Sequence, residues 1–186
     1  IEVLRGPQGT LYGRNSVGGA VKYVTRQIAD AAQLDLRVNL GNYNQRDLVL
    51  RGDLPLGETF SLGGAVTLQR RDGFGENKLT GAEHYDKDVT AFRLALEWRP
   101  GDAWFLRLAA DQLEDDSAPR HGHREVVGAG LTAGEVVLPN VYDTRAGVGD
   151  NNSVKTRGIS LLAEYSLTEA TQLRYIAARR DGRTDT

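Results

Sequence analysis

Residues 92–111 read FRLALEWRPGDAWFLRLAAD. Phe92, Leu94, Leu96 and Trp98 interleave with Arg93, Ala95 and Glu97, and after residues 100–103 the run Trp104, Leu106, Leu108 and Ala110 interleaves with Arg107 and Asp111. In extended chain successive side chains point to opposite faces, so a period of two gives a strand with one apolar and one polar face. Two such runs around a short Pro- and Gly-containing connection predict an antiparallel hairpin.

The same alternation extends in both directions. Upstream, Leu34, Leu36, Val38 and Leu40 interleave with Asp35, Arg37 and Asn39, then Leu48, Leu50 and Leu54 with Asp47, Arg51 and Asp53. Phe60, Leu62, Val66 and Leu68 interleave with Ser61, Gly63, Ala65, Thr67 and Gln69. Downstream, Ile159, Leu161, Ala163 and Tyr165 stand opposite Ser160 and Glu164, and Leu173, Tyr175 and Ala177 opposite Gln172, Arg174 and Arg180. The chain is therefore predicted as all-β, with about seven strands after residue 33 and few helices.

Connection lengths separate a soluble sandwich from a membrane barrel. Residues 55–59, 100–103 and 166–171 are short connections, whereas 41–46, 71–88 and 114–154 lie between them, and two of these are far longer than a hairpin turn needs. The two sets alternate, so every second connection lies on the same edge. Short turns on one rim and long loops on the other are the pattern of outer-membrane barrels, with the short side periplasmic. Trp98 and Trp104 flank a short turn, where an interfacial aromatic girdle sits; two core tryptophans at strand ends is the other reading. In the barrel reading the apolar faces meet lipid, while Arg37, Arg51, Arg93, Glu97, Arg107, Asp111 and Glu164 face the lumen. Seven strands are too few to close a barrel, so the sheet would be incomplete with two open edges.

Composition is consistent with this and narrows the alternatives. The chain has 186 residues, a net charge of −2, no cysteine and no methionine. No disulfide framework or thiolate metal site is available, no field favours nucleic acid, and no signal peptide is visible. The chain reads as an internal piece of a longer protein. No apolar run approaches the ~18 residues of a membrane helix, which leaves a β-barrel open because its strands alternate.

The N-terminal stretch IEVLRGPQGTLYGRNSVGGAVKYVTR (1–26) reads as a strand, a glycine-rich turn region and a second alternating run from Ala20 to Thr25. Gly6, Gly9 and Gly13 followed by Arg14 superficially suggest a phosphate cradle. The P-loop spacing is absent, and the run after Gly19 is strand-like rather than the long helix of a dinucleotide site. The wording resembles instead the end of the plug domain of TonB-dependent outer-membrane receptors, on Val3 to Gly9, Leu11 to Gly13, Gly18 to Val21 and Val24 to Thr25.

That resemblance implies residues 1–27 as the C-terminal end of a plug and 28–186 as the N-terminal part of a transmembrane β-barrel. Its plug motif falls on Arg5, Gly6, Pro7, Gln8, Gly9, Tyr12, Gly13, Arg14, Gly18 and Gly19, with the glycines acting through backbone geometry. Arg5 and Arg14 are expected to pair with lumen carboxylates such as Glu97, Asp111 or Glu164, since buried charge needs a partner. The function implied is energy-coupled uptake of a scarce nutrient, a ferric siderophore first among the family's substrates. The partners implied are outer-membrane lipid, the nutrient, and a TonB-type energy-coupling protein that engages a segment outside this sequence.

Other chemistry is sparse. His121 and His123, with Glu114, Asp115 and Asp116 nearby, are candidate metal or haem-iron ligands, but they sit beside Pro119, Arg120 and Arg124 in what reads as a solvated loop. His84 reads as a lone, solvated histidine. Asp150, Asn151 and Asn152 offer oxygen donors without the spaced carboxylates of a calcium loop, and a turn is the better reading. No catalytic serine or cysteine set and no cofactor motif is legible, so an enzyme is not expected. The alternative function is a non-transporting β-rich ligand-binding or adhesion module. It predicts solubility without detergent and short loops on both edges.

Overall fold

A computed structural model describes residues 1–14, 16–127, 136–147, 149 and 151–185. The N-terminal hairpin pairs β1 (Glu2–Arg5) with β2 (Gly19–Lys22), and a single helical turn, α1 (Gly9–Tyr12), lies in the loop between them. The helical turn was not expected from the glycine-rich wording. β2 also stops earlier than the alternation to Thr25 predicts: Tyr23 to Thr25 have no strand partner in the hairpin, whose register runs out at Glu2 opposite Lys22.

The rest of the backbone is a meander. β3 (Gln33–Gly41), β4 (Gln45–Leu56) and β5 (Phe60–Arg71) are followed by two short segments, β6 (Gly75–Glu76) and β7 (Glu83–His84). Then come β8 (Lys87–Trp98), β9 (Trp104–Asp115), β10 (Ser153–Thr168) and β11 (Thr171–Asp185). Seven of these form one antiparallel sheet in the order β11-β10-β9-β8-β5-β4-β3, while β6 and β7 pair only with each other. Each hairpin neighbour in sequence is a neighbour in space, and β3 and β11 are the two edges, as the incomplete-barrel reading requires.

Both rims match the predicted alternation. On one rim the strands turn over at residues 57–59, 99–103 and 169–170; on the other they join through 42–44, the β6–β7 excursion and residues 116–152. Gly101 turns its rim with φ +73°, a left-handed backbone that a side chain would strain. At 42–44 that strain is borne by Tyr43 (φ 59°) and Asn44 (φ 53°), the two central positions of a tight hairpin turn.

Register aligns the faces. Leu54 pairs with Leu62, Leu62 with Leu96, Leu96 with Leu108 and Leu108 with Leu161, so the apolar residues of separate strands share one surface. That surface is open: Leu34 is 77% and Leu94 53% exposed. From Phe60 to Leu68 the strand rises about 26 Å at ~3.3 Å per residue, and a barrel tilt of ~40° leaves about 20 Å of height, near the apolar band of an outer-membrane wall. At the short-turn rim Phe60 stacks on Trp98 with ring centres 5.8 Å apart, and Trp104 lies 4.4 Å from Tyr165. The two tryptophans thus belong to a rim of aromatics on the apolar face, the girdle position, and not to a core. Among the described residues the buried apolar side chains are Ile28 and Ala109.

Candidate functional site

The opposite face carries the chemistry. A row of small side chains crosses it in register: Asp53 pairs with Gly63, Gly63 with Ala95, Ala95 with Ala109, Ala109 with Ser160 and Ser160 with Ala178. One register step toward the short-turn rim lie Ser61, Glu97 and Arg107, and one step the other way lie Arg93, Asp111, Gly158 and Arg180. Small residues flanked by charges leave room for, and polar partners to, whatever lies against this face.

What lies there is the chain's own segment 25–28. Arg26 forms an ion pair and hydrogen bond with Asp53, a carboxylate only 8% exposed. The backbone N–H of Ile28 donates to Glu97 Oε1 at 3.3 Å. The Ile28 side chain, 7% exposed, sits over Gly63: a Cβ added there would come 2.8 Å from Ile28 Cγ1 and 3.3 Å from Asp53 Oδ1. A cavity of about 210 Å³ remains beside this contact, lined in part by Thr25, Gln27, Arg51 and Arg93.

Glu97 is completely buried, a position a carboxylate holds only with close cationic partners. It accepts from Arg107 Nε at 2.7 Å and also from the terminal nitrogen of Arg107, and from Arg99 at 2.6 Å. Both guanidiniums also lie over the Phe105 ring, at 4.9 and 5.6 Å. Arg180 grips Asp111 with two contacts of 2.9 Å, reaching across Gly158, where a Cβ would meet its guanidinium at 2.9 Å. Arg174 holds Glu164 at 2.6 Å.

These pairs correct the expectation for Arg5 and Arg14. All three carboxylates assigned to them are engaged by arginines of the sheet itself, because Glu97 faces Arg107 and Glu164 faces Arg174 directly in register, while Asp111 and Arg180 flank Gly158 in one row. Arg26 is the arginine that crosses from the N-terminal segment to the wall. Within the hairpin, Gly6 and Gly13 have φ +84° and Gly19 has φ +133°, with a Cβ at Gly19 placed 2.4 Å from the Leu4 carbonyl oxygen; Gly9 opens α1, and a Cβ at Gly18 would meet nothing. Pro7 separates β1 from α1, Gln8 N–H donates to the Ser16 carbonyl at 2.9 Å, and Tyr12 N–H to the Gln8 carbonyl at 3.0 Å. Lys22, hydrogen-bonded to Glu2, is held above its ordinary value by that carboxylate.

Among the described residues, the long-loop rim is more tightly packed than the sequence suggests. Phe74 packs against Tyr43, Tyr85 and Tyr142 with centroids 4.9–5.5 Å apart, under the Arg71 guanidinium. His84, expected to be solvated, is fully buried and meets the His121 ring edge-on at 4.4 Å. The Tyr85 hydroxyl donates to the His121 carbonyl at 2.8 Å. Asn77 is also fully buried, donating through its side chain to the Ala146 carbonyl at 3.0 Å. Lys78 is bound by Glu76 and Asp143, which raise its pKa in that order.

His123 lines a second cavity of about 710 Å³ with Arg124, Arg145 and Asp143. Among the described residues no group of three or more His, Asp or Glu side chains is arranged to hold a metal. Asp150, read from the sequence with Asn151 and Asn152 as a turn, lies outside the described residues.

No family model matches the chain. Over 118 residues, 62% of its length, it is 26% identical to the vitamin B12 transporter BtuB of Vibrio vulnificus, covering 19% of that protein. Over 121 residues, 65% of its length, it is 31% identical to the ferrioxamine B receptor of Salmonella typhimurium, covering 16% of it. It therefore spans less than a fifth of the curated relatives it matches. Among solved structures, the open form of the ferric-catecholate import receptor Fiu of E. coli K12 matches with a TM-score of 0.79 at 19% identity, over 98% of this chain and 28% of that one. The ferric yersiniabactin uptake receptor FyuA of Yersinia pestis matches at 0.72 and 22% identity over the same shares. With a fold shared over nearly its whole length, sequence likeness to such receptors and an apolar face turned outward, the chain resembles a part of the TonB-dependent receptors of the Gram-negative outer membrane.

Proposed function

We propose that the whole protein imports a ferric siderophore across the outer membrane, using energy delivered by a TonB-type coupling protein. In this reading residues 1–27 are the end of a plug and residues 28–186 begin the barrel that surrounds it. The observation that carries the reading is the inner face itself: its small-residue row and buried Glu97 hold the segment that leads out of the N-terminal hairpin. A lumen wall that already binds chain from the hairpin side is what a plugged barrel needs. The left-handed glycines Gly6, Gly13 and Gly19 then shape the plug loop, while the aromatic and histidine cluster of the long loops braces the outer mouth. For the substrate class, support comes from the names of relatives: the Salmonella typhimurium protein is a ferrioxamine B receptor, and the two solved structures are receptors for ferric catecholates and ferric yersiniabactin.

The test is uptake by cells whose only outer-membrane receptor of this type is the full-length protein. Radiolabelled ferric siderophores should be bound at the surface and accumulated, with accumulation but not binding abolished by a protonophore. Uptake of cobalamin alone would overturn the substrate class, and binding with no energy-dependent accumulation of either would overturn transport.

A further inference from the structure

The contacts of segment 25–28 are unequal along its length. Arg26 is half-exposed even while it holds Asp53, whereas Ile28 is 7% exposed. Burial begins abruptly at Ile28. Its N–H is spent on a carboxylate already neutralised by two guanidiniums, and its side chain fills the space that Gly63 leaves open. Pulling Ile28 away would strand a backbone donor and open a gap against Gly63.

We propose that Ile28, Glu97 and Gly63 form a fixed clasp: the chain stays bound to the wall at Ile28 throughout import. Glu97 is here a positioning residue, acting through the backbone of Ile28 and touching no substrate. The proposal rests on the transport reading.

A disulfide tests it, using Ile28→Cys with Gly63→Cys in the whole receptor. Ile28 Cγ1 is 2.8 Å from the Cβ position of residue 63 and one bond of about 1.5 Å from its own Cβ, so the two Cβ atoms lie no more than about 4.3 Å apart, inside the reach of a disulfide. The clasp predicts a bridge that forms readily in native membranes, and ferric-siderophore uptake within about twofold of that of the reduced protein, with surface binding unchanged. Failure to form the bridge overturns the clasp. So does a loss of uptake of about tenfold on oxidation that reduction restores.

If the unmodified receptor imports no ferric siderophore, the transport reading fails by itself, and amide exchange then judges the clasp. Ile28 N–H should exchange slowly, at least about tenfold faster in Glu97→Ala, and near the original rate in Glu97→Gln, whose carbonyl oxygen still accepts. Equal exchange in all three proteins overturns the clasp.

Discussion

Leu108 and Ala109 are neighbours in β9, yet the leucine is 47% exposed and the alanine 4%. Most of the sheet follows the same rule, large apolar side chains looking out and small and charged ones looking in, with Phe105, Leu162 and Ile176 as inner-face exceptions in the rows of Arg107 and Glu164. In a water-soluble sandwich burial and hydrophobicity rise together, because apolar area withdrawn from water drives folding. Here they run opposite ways. The arrangement is stable only where the outer face meets hydrocarbon and the inner face meets protein or water, which is the physical content of the likeness to outer-membrane receptors.

The rims give the largest effect by which this comparison can be broken. An epitope tag within residues 116–152 of the full-length protein should be reached by antibody on intact cells, and one within 99–103 should not. The reverse labelling would invert the orientation.

The faces come next. Leu94→Arg or Leu108→Arg should destabilise the inserted protein by about 2–4 kcal/mol near the bilayer midplane, measured by unfolding from lipid, while Arg93→Gln costs less. Equal penalties on the two faces would return the sheet to a soluble core.

Two adjacent glycines sharpen the contrast at the smallest scale. A Cβ at Gly63 runs into Ile28 and Asp53, whereas at Gly64, on the outer face, it meets nothing closer than 3.7 Å. Gly63→Ala should therefore cost about 1–3 kcal/mol through overpacking, with Gly64→Ala within about half a kcal/mol of neutral. Similar values at both sites would mean that Ile28 does not occupy the inner face.

The strands, their faces and the unequal rims were legible because period-two alternation is a local property and each strand repeats it. The inner charges were legible for the same reason: parity alone puts Arg93, Glu97, Arg107 and Asp111 on one side. Their partners were harder. Glu97 opposite Arg107 follows from hairpin register around residues 99–103, but the reach of Arg180 over Gly158 needs the order of three strands. Ile28 carried only a faint signal, a single large apolar residue in the run Arg26-Gln27-Ile28-Ala29-Asp30, and Gly63 a second, a glycine at an inward position. His84 carried none, since its burial depends on His121, brought to it by loops with no periodicity. The helical turn Gly9–Tyr12 was masked by glycines that favour irregular turns.

The central claim is that neighbouring residues of one strand face lipid and lumen. Single cysteines at Leu108 and at Ala109 of a cysteine-free full-length protein, each carrying an environment-sensitive fluorophore and reconstituted in brominated lipid, test it directly. The account predicts strong quenching at position 108 and little at 109; equal quenching at both, or quenching at 109 alone, would contradict it.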